Sequence, residues 1–189
     1  MIKFENVSVT YPGGVEALKD LNLEIKDGDF IIIVGLSGAG KSTLLRTVNN
    51  LVKPSTGSVY LENKNVTSAK KRELKQIRSQ IGMIFQTFNL VNRSTVLKNV
   101  LTGRLSNIST IRSILGLWPK DQKEMAFEAL NQVEILEKAY VRASNLSGGQ
   151  QQRVGIARAL SQKPKVMLAD EPVASLDPIT SRVVMSYLK

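Results

Sequence analysis

Apolar and polar residues alternate through much of the first sixty positions, which is the pattern of half-buried β-strands. The alternation predicts strands at residues 2–10, 21–25 and 57–61. Residues 30–34 form a continuous uncharged run, Phe-Ile-Ile-Ile-Val, and predict a fully buried strand that follows a hairpin-type turn at residues 26–29. Together these strands predict an N-terminal β subdomain with antiparallel strands set around a parallel core.

The middle of the chain changes to helical spacing. Residues 70–79 predict a short basic helix, and residues 81–85 predict a buried strand that ends at Gln86. From residue 87 to about residue 145 the apolar residues recur with the period of a helix, which predicts an inserted all-helical subdomain. No heptad pattern is sustained there, so a coiled-coil arm is excluded.

The last part of the chain returns to alternating helix and strand. A helix is predicted at residues 151–161, a buried strand at residues 166–169, and a final helix from Asp177 and Pro178, an N-cap residue followed by proline. The order of elements predicts an α/β fold with a mixed sheet.

A glycine-rich loop joins the run at residues 30–34 to a predicted helix. It reads Gly35-Leu36-Ser37-Gly38-Ala39-Gly40-Lys41-Ser42. Glycines let successive backbone N–H groups point at phosphate oxygens, and the helix N-terminus adds partial positive charge. In such a loop Lys41 reaches the β- and γ-phosphates and the Ser42 hydroxyl ligates Mg²⁺. The loop predicts nucleotide binding, and it leaves the reaction open.

An acidic pair, Asp170 and Glu171, ends the strand at residues 166–169. Taken alone, the pair also fits a solvent-exposed acidic turn. With the phosphate loop upstream it predicts that Asp170 holds Mg²⁺ and that Glu171 polarises the water that attacks the γ-phosphate. The predicted reaction is therefore nucleotide hydrolysis.

The motif Leu146-Ser147-Gly148-Gly149-Gln150 predicts a second phosphate-binding helix N-terminus. The Ser147 side chain can cap the helix, and the two glycines expose backbone N–H groups. Without the phosphate loop the motif would fit a plain capped turn. One γ-phosphate does not need two such sites, so this one is predicted to face a nucleotide on another subunit.

Composition removes several classes of chemistry. The chain has no cysteine and no histidine, which excludes disulfides, thiolate or imidazole metal sites and histidine acid–base catalysis. The first residues lack an apolar signal segment and no stretch is long enough to cross a bilayer, so a cytoplasmic location is expected.

The net charge of +10 fits nucleic acid, an anionic membrane surface or a polyanionic ligand. The densest cluster of cations also fits a solvated helix face; it comprises Lys70, Lys71, Arg72, Lys75 and Arg78. No basic strip is interleaved with aromatic residues, and no nucleic acid partner is expected.

The motifs resemble those of the ABC (ATP-binding cassette) ATPase family along the whole chain. Residues 35–42 match its Walker A loop, residues 166–170 with Glu171 match Walker B and the catalytic glutamate, and residues 146–150 match the family signature. Gln86 stands at the position of the Q-loop glutamine, and residues 175–177 match the D-loop.

The resemblance implies roles for individual residues. The fold would be that of a P-loop NTPase, with a nucleotide-binding core at residues 1–86 and 146–189 and a helical subdomain at residues 87–145. Glu171 and Gln86 would be catalytic. The implied Mg²⁺ ligands are Ser42, Gln86 and Asp170. The implied ATP contacts are Tyr11, which would stack on adenine, Gly35, Ser37, Gly38, Ala39, Gly40, Lys41, Ser42, Thr43, Ser147, Gly148, Gly149, Gln150 and Asp177.

Partners also follow from the resemblance. It implies a head-to-tail homodimer with two ATP molecules at the interface, a transmembrane permease that docks on the helical subdomain near Gln86, and indirect work with a periplasmic or lipoprotein solute-binding protein. The subunit would be peripheral, on the cytoplasmic side of the bacterial membrane. Residues 89–104 and 147–158 are similar to ATPase subunits of phosphonate importers.

One departure from the family pattern concerns a switch histidine that follows the strand after Walker B. This sequence has no histidine and ends at Lys189. We therefore expect a C-terminally truncated cassette with a gap in the sheet, which binds ATP weakly and hydrolyses it poorly.

Other interpretations predict different features. An importer ATPase for another small solute would share every motif. An ABC ATPase of DNA repair would carry long coiled coils between Walker A and the signature. A non-catalytic nucleotide-binding module has no need of Glu171, and a GTPase or nucleotide kinase has no need of residues 146–150.

Overall fold

The computed structural model of the protein describes residues 1–173 and 178–186. The chain forms two compact units, Met1–Arg78 and Ser79–Lys189. Within the described residues, no helix is both long and apolar enough to cross a membrane. The predicted division into a core and a lobe at residues 87–145 stays a prediction.

The first unit is a four-stranded antiparallel sheet with helices. Its elements are β1 (Ile2–Thr10), β2 (Glu16–Ile25), α1 (Lys41–Val48), β3 (Thr56–Leu61), β4 (Lys64–Asn65) and α2 (Lys71–Arg78). The strand order is β2-β1-β3-β4, so β1 lies between two partners, and Phe4 stands opposite both Leu23 and Val59. Phe4 and Val59 are buried, and α1 packs on β2 and β3. The alternating pattern of these strands is confirmed, and β2 begins earlier than predicted.

The prediction of a buried strand at residues 30–34 is wrong. The turn before it forms, because the Asp29 N–H donates to the Lys26 carbonyl at 3.3 Å. Residues 30–34 then pair with no strand of the described chain, and Ile32 and Val34 are 70% and 88% exposed. An apolar run indicates only that its side chains favour burial. A strand also needs backbone hydrogen-bond partners from elsewhere in the sequence.

The second unit combines a two-stranded parallel sheet with helices. Its elements are β5 (Ile81–Ile84), α3 (Val96–Leu101), α4 (Thr110–Ile114), α5 (Lys120–Gln132), α6 (Gly148–Ser161), β6 (Val166–Ala169) and α7 (Pro178–Ser186). β5 pairs with β6 in register, with Ile81 opposite Val166 and Ile84 opposite Ala169. Helix α6 packs against α3, α5 and β5, and its buried residues, such as Val154 and Ile156, join one apolar core. The predicted helical content of this region is confirmed.

Candidate functional site

In the first unit, the glycine-rich loop leads directly into α1, which begins at Lys41. Gly38 and Gly40 have φ angles of 82° and 86°, a left-handed conformation that favours glycine. The Lys41 ammonium folds back over the loop and donates to the carbonyl oxygens of Gly35 at 2.9 Å and Leu36 at 2.8 Å. The loop is thus curled as its sequence predicts, and the Lys41 ammonium lies against its backbone.

Gly40 has a second constraint that the sequence does not reveal. A Cβ at this position would overlap the backbone carbonyl oxygen of Ala17, at the start of β2. The first turn of α1 therefore lies directly against β2, and only a residue without a side chain allows this approach.

Tyr11, predicted to stack on adenine, lies beside this helix. Its hydroxyl is 3.1 Å from Thr43 Oγ1, and its side chain remains 38% exposed. Ser42 is half-buried in the first turn of α1. The structure thus brings Tyr11, Thr43 and Lys41 to one end of α1 within the first unit.

In the second unit, the paired strands β5 and β6 bring the predicted catalytic residues together. Parallel strands present their carboxyl ends at one edge of the sheet, where ligand sites of α/β folds lie. Just beyond that edge, Gln86 Nε2 donates to Glu171 Oε2 at 2.8 Å. Glu171 has a φ angle of 48° and is exposed. The carboxylate predicted to polarise water and the predicted Q-loop amide therefore touch.

Asp170 differs from its neighbour in burial. It is 2% exposed, and its backbone N–H donates to the Ile84 carbonyl at 3.0 Å, which continues the pairing of β6 with β5. Hard oxygen donors suit Mg²⁺, which retains several waters and needs only one or two protein ligands. The Asp170 carboxylate and the Gln86 amide of the second unit, and the Ser42 hydroxyl of the first, are each an oxygen donor of the kind that Mg²⁺ binds, so the predicted residues fit the ion chemically.

Ser147 caps α6 as predicted. Its Oγ accepts from the Gln150 N–H at 3.4 Å, and its own N–H donates to Gln150 Oε1 at 3.0 Å. This reciprocal capping box fixes the first turn of a 14-residue helix. The Gln150 side chain, predicted as an ATP contact, is engaged within its own chain here.

Sequence reasoning missed the residues that connect α6 to the catalytic pair. Gln152 is 2% exposed, and its Nε2 donates to the Pro172 carbonyl at 2.6 Å, next to Glu171. Arg158 donates to the carbonyls of Phe88 and Asn89, and burial lowers the pKa of its guanidinium. A polar residue in a helix usually indicates a solvated face, so nothing in the sequence pointed to the contacts of Gln152 or Arg158.

Asp177 lies outside the described residues. The phosphate loop belongs to the first unit, while the Gln86–Glu171 pair and the capped helix α6 belong to the second.

A family model described as ABC transporter matches residues 18–174, most of the chain. The chain belongs to the ABC transporter family. The matched range contains the phosphate loop, the acidic pair and the motif at residues 146–150. The predicted α/β cassette fold is confirmed by this family assignment and by the following similarities.

The chain is 59% identical over 189 residues to the phosphonates import ATP-binding protein PhnC of Bacillus thuringiensis subsp. konkukian (strain 97-27). The alignment covers 100% of this chain and 74% of that relative. The chain is 55% identical to PhnC 3 of Halalkalibacterium halodurans, covering 73% of that protein. Among solved structures it resembles the dimeric post-hydrolysis state of the ATP-binding cassette MJ0796 bound to ADP and Pi, with a TM-score of 0.88 and 40% identity over 100% of this chain and 81% of that chain.

Proposed function

We propose that the chain binds and hydrolyses ATP as the ATPase subunit of a bacterial importer, with phosphonates as the transported class. The observation that carries the proposal is the hydrogen bond between Gln86 and Glu171 at the carboxyl ends of two parallel strands. The chain also has a phosphate loop, which would bind the nucleotide. Hydrolysis needs in addition a carboxylate that orients water, and the Gln86–Glu171 pair supplies it.

ATP binding is assigned to the first unit. The backbone N–H groups of residues 35–42 and the N-terminus of α1 would receive the phosphates. Lys41 would exchange its two carbonyl acceptors for phosphate oxygens, which carry more charge and form stronger bonds. Tyr11 offers an exposed ring for adenine, and Thr43 holds its hydroxyl in place.

The hydrolytic step is assigned to Glu171. Its carboxylate would orient the attacking water and accept a proton as the bond from water oxygen to the γ-phosphorus forms. Gln86 would hold that carboxylate in position through the 2.8 Å hydrogen bond. Asp170 and Gln86 in the second unit and Ser42 in the first are proposed as Mg²⁺ ligands, and the ion, when bound, supplies positive charge to the phosphate oxygens.

Substitutions at two positions separate binding from chemistry. Removing the Lys41 ammonium in Lys41→Ala should weaken ATP binding about 10- to 100-fold. Glu171→Gln should leave ATP affinity within about threefold and lower turnover at least about 100-fold. Calorimetric titration and phosphate release measure the two quantities, and Glu128→Gln, an exposed carboxylate on α5, serves as the control. Turnover that survives in Glu171→Gln would contradict the proposal.

A second copy of the chain is the proposed partner for residues 146–150. The capped N-terminus of α6 presents backbone N–H groups to solvent, and the similar cassette MJ0796 has a dimeric structure. With ATP retained in Glu171→Gln, the chain should change from monomer to dimer in sedimentation velocity. A monomer at saturating ATP would overturn this part.

The transport role rests on similarity to the importer proteins. We assign the chain to the cytoplasmic side of the membrane, bound to a permease and served by an extracytoplasmic solute-binding protein. The test is a chimera in which this chain replaces the matching 189 residues of the Bacillus thuringiensis relative. The chimera should restore growth on a phosphonate as sole phosphorus source in a strain that lacks the relative, and its Glu171→Gln version should not.

Growth on inorganic phosphate is the control for the chimera. If the chimera hydrolyses ATP and fails only on phosphonate, the cargo assignment is wrong and the ATPase assignment stands. Import of a different small solute is then the remaining interpretation.

A further inference from the structure

Helix α6 is tied by hydrogen bonds to both of the loops that carry the Gln86–Glu171 pair. On one side, the buried Gln152 side chain donates to the Pro172 carbonyl at 2.6 Å. Pro172 directly follows Glu171 in the chain. The hydrogen bond from Gln152 therefore fixes the backbone to α6 at the residue next to Glu171.

On the other side, α6 holds the loop after Gln86. Arg158 Nη2 donates to the Phe88 carbonyl at 2.9 Å, and Nη1 donates to the Asn89 carbonyl at 2.7 Å. The Phe88 ring reaches back along the helix, so that a Cβ at Gly148 would lie 4.0 Å from it. One loop residue therefore contacts the first turn of α6 and, through its carbonyl, the last.

We propose that Gln152 and Arg158 are positioning residues that couple the N-terminus of α6 to the geometry of the Gln86–Glu171 pair. The inference rests on the proposed function, in which residues 146–150 contact the nucleotide of a second copy. When α6 shifts on engaging that nucleotide, its two tethers carry the shift to the hydrolytic pair of the same chain. The occupancy of one site thereby sets the geometry of the other.

The chemistry of both tethers suits this task. A planar guanidinium presents a rigid fork of donors, which can hold two successive carbonyls in a fixed arrangement. Gln152 is buried, and away from water a hydrogen bond is stronger and an unpaired carbonyl is costly. A lysine at position 158 keeps the charge and loses the fork.

Arg104, a buried arginine of the same unit, supplies a control for Arg158, which is half-buried. Arg104 donates to Gln122 Oε1 at 2.8 Å and to the Ser161 carbonyl at 2.7 Å. Like Arg158, it is desolvated and binds backbone, and it contacts neither Gln86 nor Glu171. The variant Arg104→Met therefore reports the general cost of losing a buried arginine.

The test is a double-mutant cycle on ATP turnover of the full chain. Arg158→Met should lower kcat about tenfold with KM for ATP changed by less than about twofold. In the Gln86→Ala background the same change should lower kcat less than about twofold, because the pair it positions is already broken. Any kcat loss in Arg104→Met should be the same in both backgrounds. A tenfold loss from Arg158→Met that persists in Gln86→Ala overturns the coupling.

Hydrogen–deuterium exchange gives a readout that does not depend on activity. Arg158→Met should speed exchange at residues 87–90, and Gln152→Glu, which keeps the size and loses the donor, should speed it at residues 171–173. Arg104→Met should change neither segment. Unchanged exchange in both tether variants overturns the proposal.

The same design separates the two hypotheses. Absence of turnover in the unsubstituted chain would contradict the proposed function, and the exchange data would still decide on the tethers. If Arg158→Met does not fold, Arg158→Lys replaces it, with an expected kcat loss of about threefold.

Discussion

At the scale of single residues, Gly38 and Gly40 have almost the same φ angle but differ in what surrounds them. Gly38 and Gly40 both adopt the left-handed conformation, but a Cβ on Gly38 would meet nothing within 4 Å. A Cβ on Gly40 would meet the Ala17 carbonyl. Gly38 is therefore needed only for the left-handed turn, while Gly40 is also needed for the close packing of α1 on β2.

Alanine substitutions at these two glycines should therefore differ in cost. Gly38→Ala should lower the free energy of unfolding by about 1 kcal/mol, the cost of a side chain in the left-handed conformation. Gly40→Ala should lower it by about 3 kcal/mol, because the backbone must also move away from Ala17. Urea denaturation followed by circular dichroism measures both values, and equal values would refute the assigned contact.

Asn99 shows how one buried amide can hold a loop. It is 1% exposed, donates to the carbonyls of Val91 and Thr95, and accepts from the Val91 N–H at 2.7 Å. The amide thus satisfies both backbone groups of Val91, in the loop that leads from Gln86 towards α3. The residue is a structural support of the predicted Q-loop region.

Replacing Asn99 with leucine should leave the Val91 N–H without its partner, whereas the Val91 carbonyl keeps the Ser94 N–H at 2.9 Å. We expect Asn99→Leu to lower the free energy of unfolding by about 2 kcal/mol, since one unpaired buried group costs about 1–3 kcal/mol. Asn131→Leu, at an exposed position on α5, should change it by less than about 0.5 kcal/mol. Similar losses in the two variants would show that the Asn99 amide is dispensable.

At the scale of elements, local chemistry made some features predictable. The cap at Ser147 and the strand before Asp170 depend on neighbouring residues, and both were predicted correctly. Parallel pairing then explains why Gln86 and Glu171 meet. The run at residues 30–34 was predicted wrongly because its partners are set by distant parts of the chain. The contacts of Gln152 and Arg158 are also long-range, and the residue types alone do not reveal which distant groups they contact.

The two roles assigned to Ser147 can be separated at the start of α6. Ser147→Ala removes the cap and should lower the free energy of unfolding by about 1 kcal/mol. Ser147→Asp keeps a capping oxygen and favours the helix dipole, so stability should be retained. Its negative charge should still abolish ATP-dependent dimerisation in the Glu171→Gln background, because it repels phosphate. A Ser147→Asp chain that dimerises normally would argue against the role of this helix in phosphate binding.

At the scale of the whole molecule, the run at residues 30–34 is an apolar segment that is exposed to solvent. It is uncharged, mostly β-branched and unpaired within the described chain. Such segments pair readily with copies of themselves, since their backbone groups lack partners and their side chains favour β-structure. The net charge of +10 opposes this association by mutual repulsion.

A single charge in the run should reduce self-association. Ile32→Lys should lower the weight-average mass in sedimentation velocity at high protein concentration, and added salt should raise the mass of the unsubstituted chain by screening repulsion. Ile111→Lys adds the same charge at an equally exposed position on α4 and should have little effect. Equal effects of the two substitutions would assign the change to net charge alone.

The pairing of β5 with β6 also has a kinetic consequence. The strands lie on opposite sides of the whole helical segment in the sequence, so their contact closes a long loop. Long-range contacts of this kind form late, because the entropy of loop closure must be overcome first. Gln86 and Glu171 stand just beyond these strands. A newly made chain therefore completes its helices before it completes its catalytic pair, so a partly folded chain has no means of hydrolysing ATP.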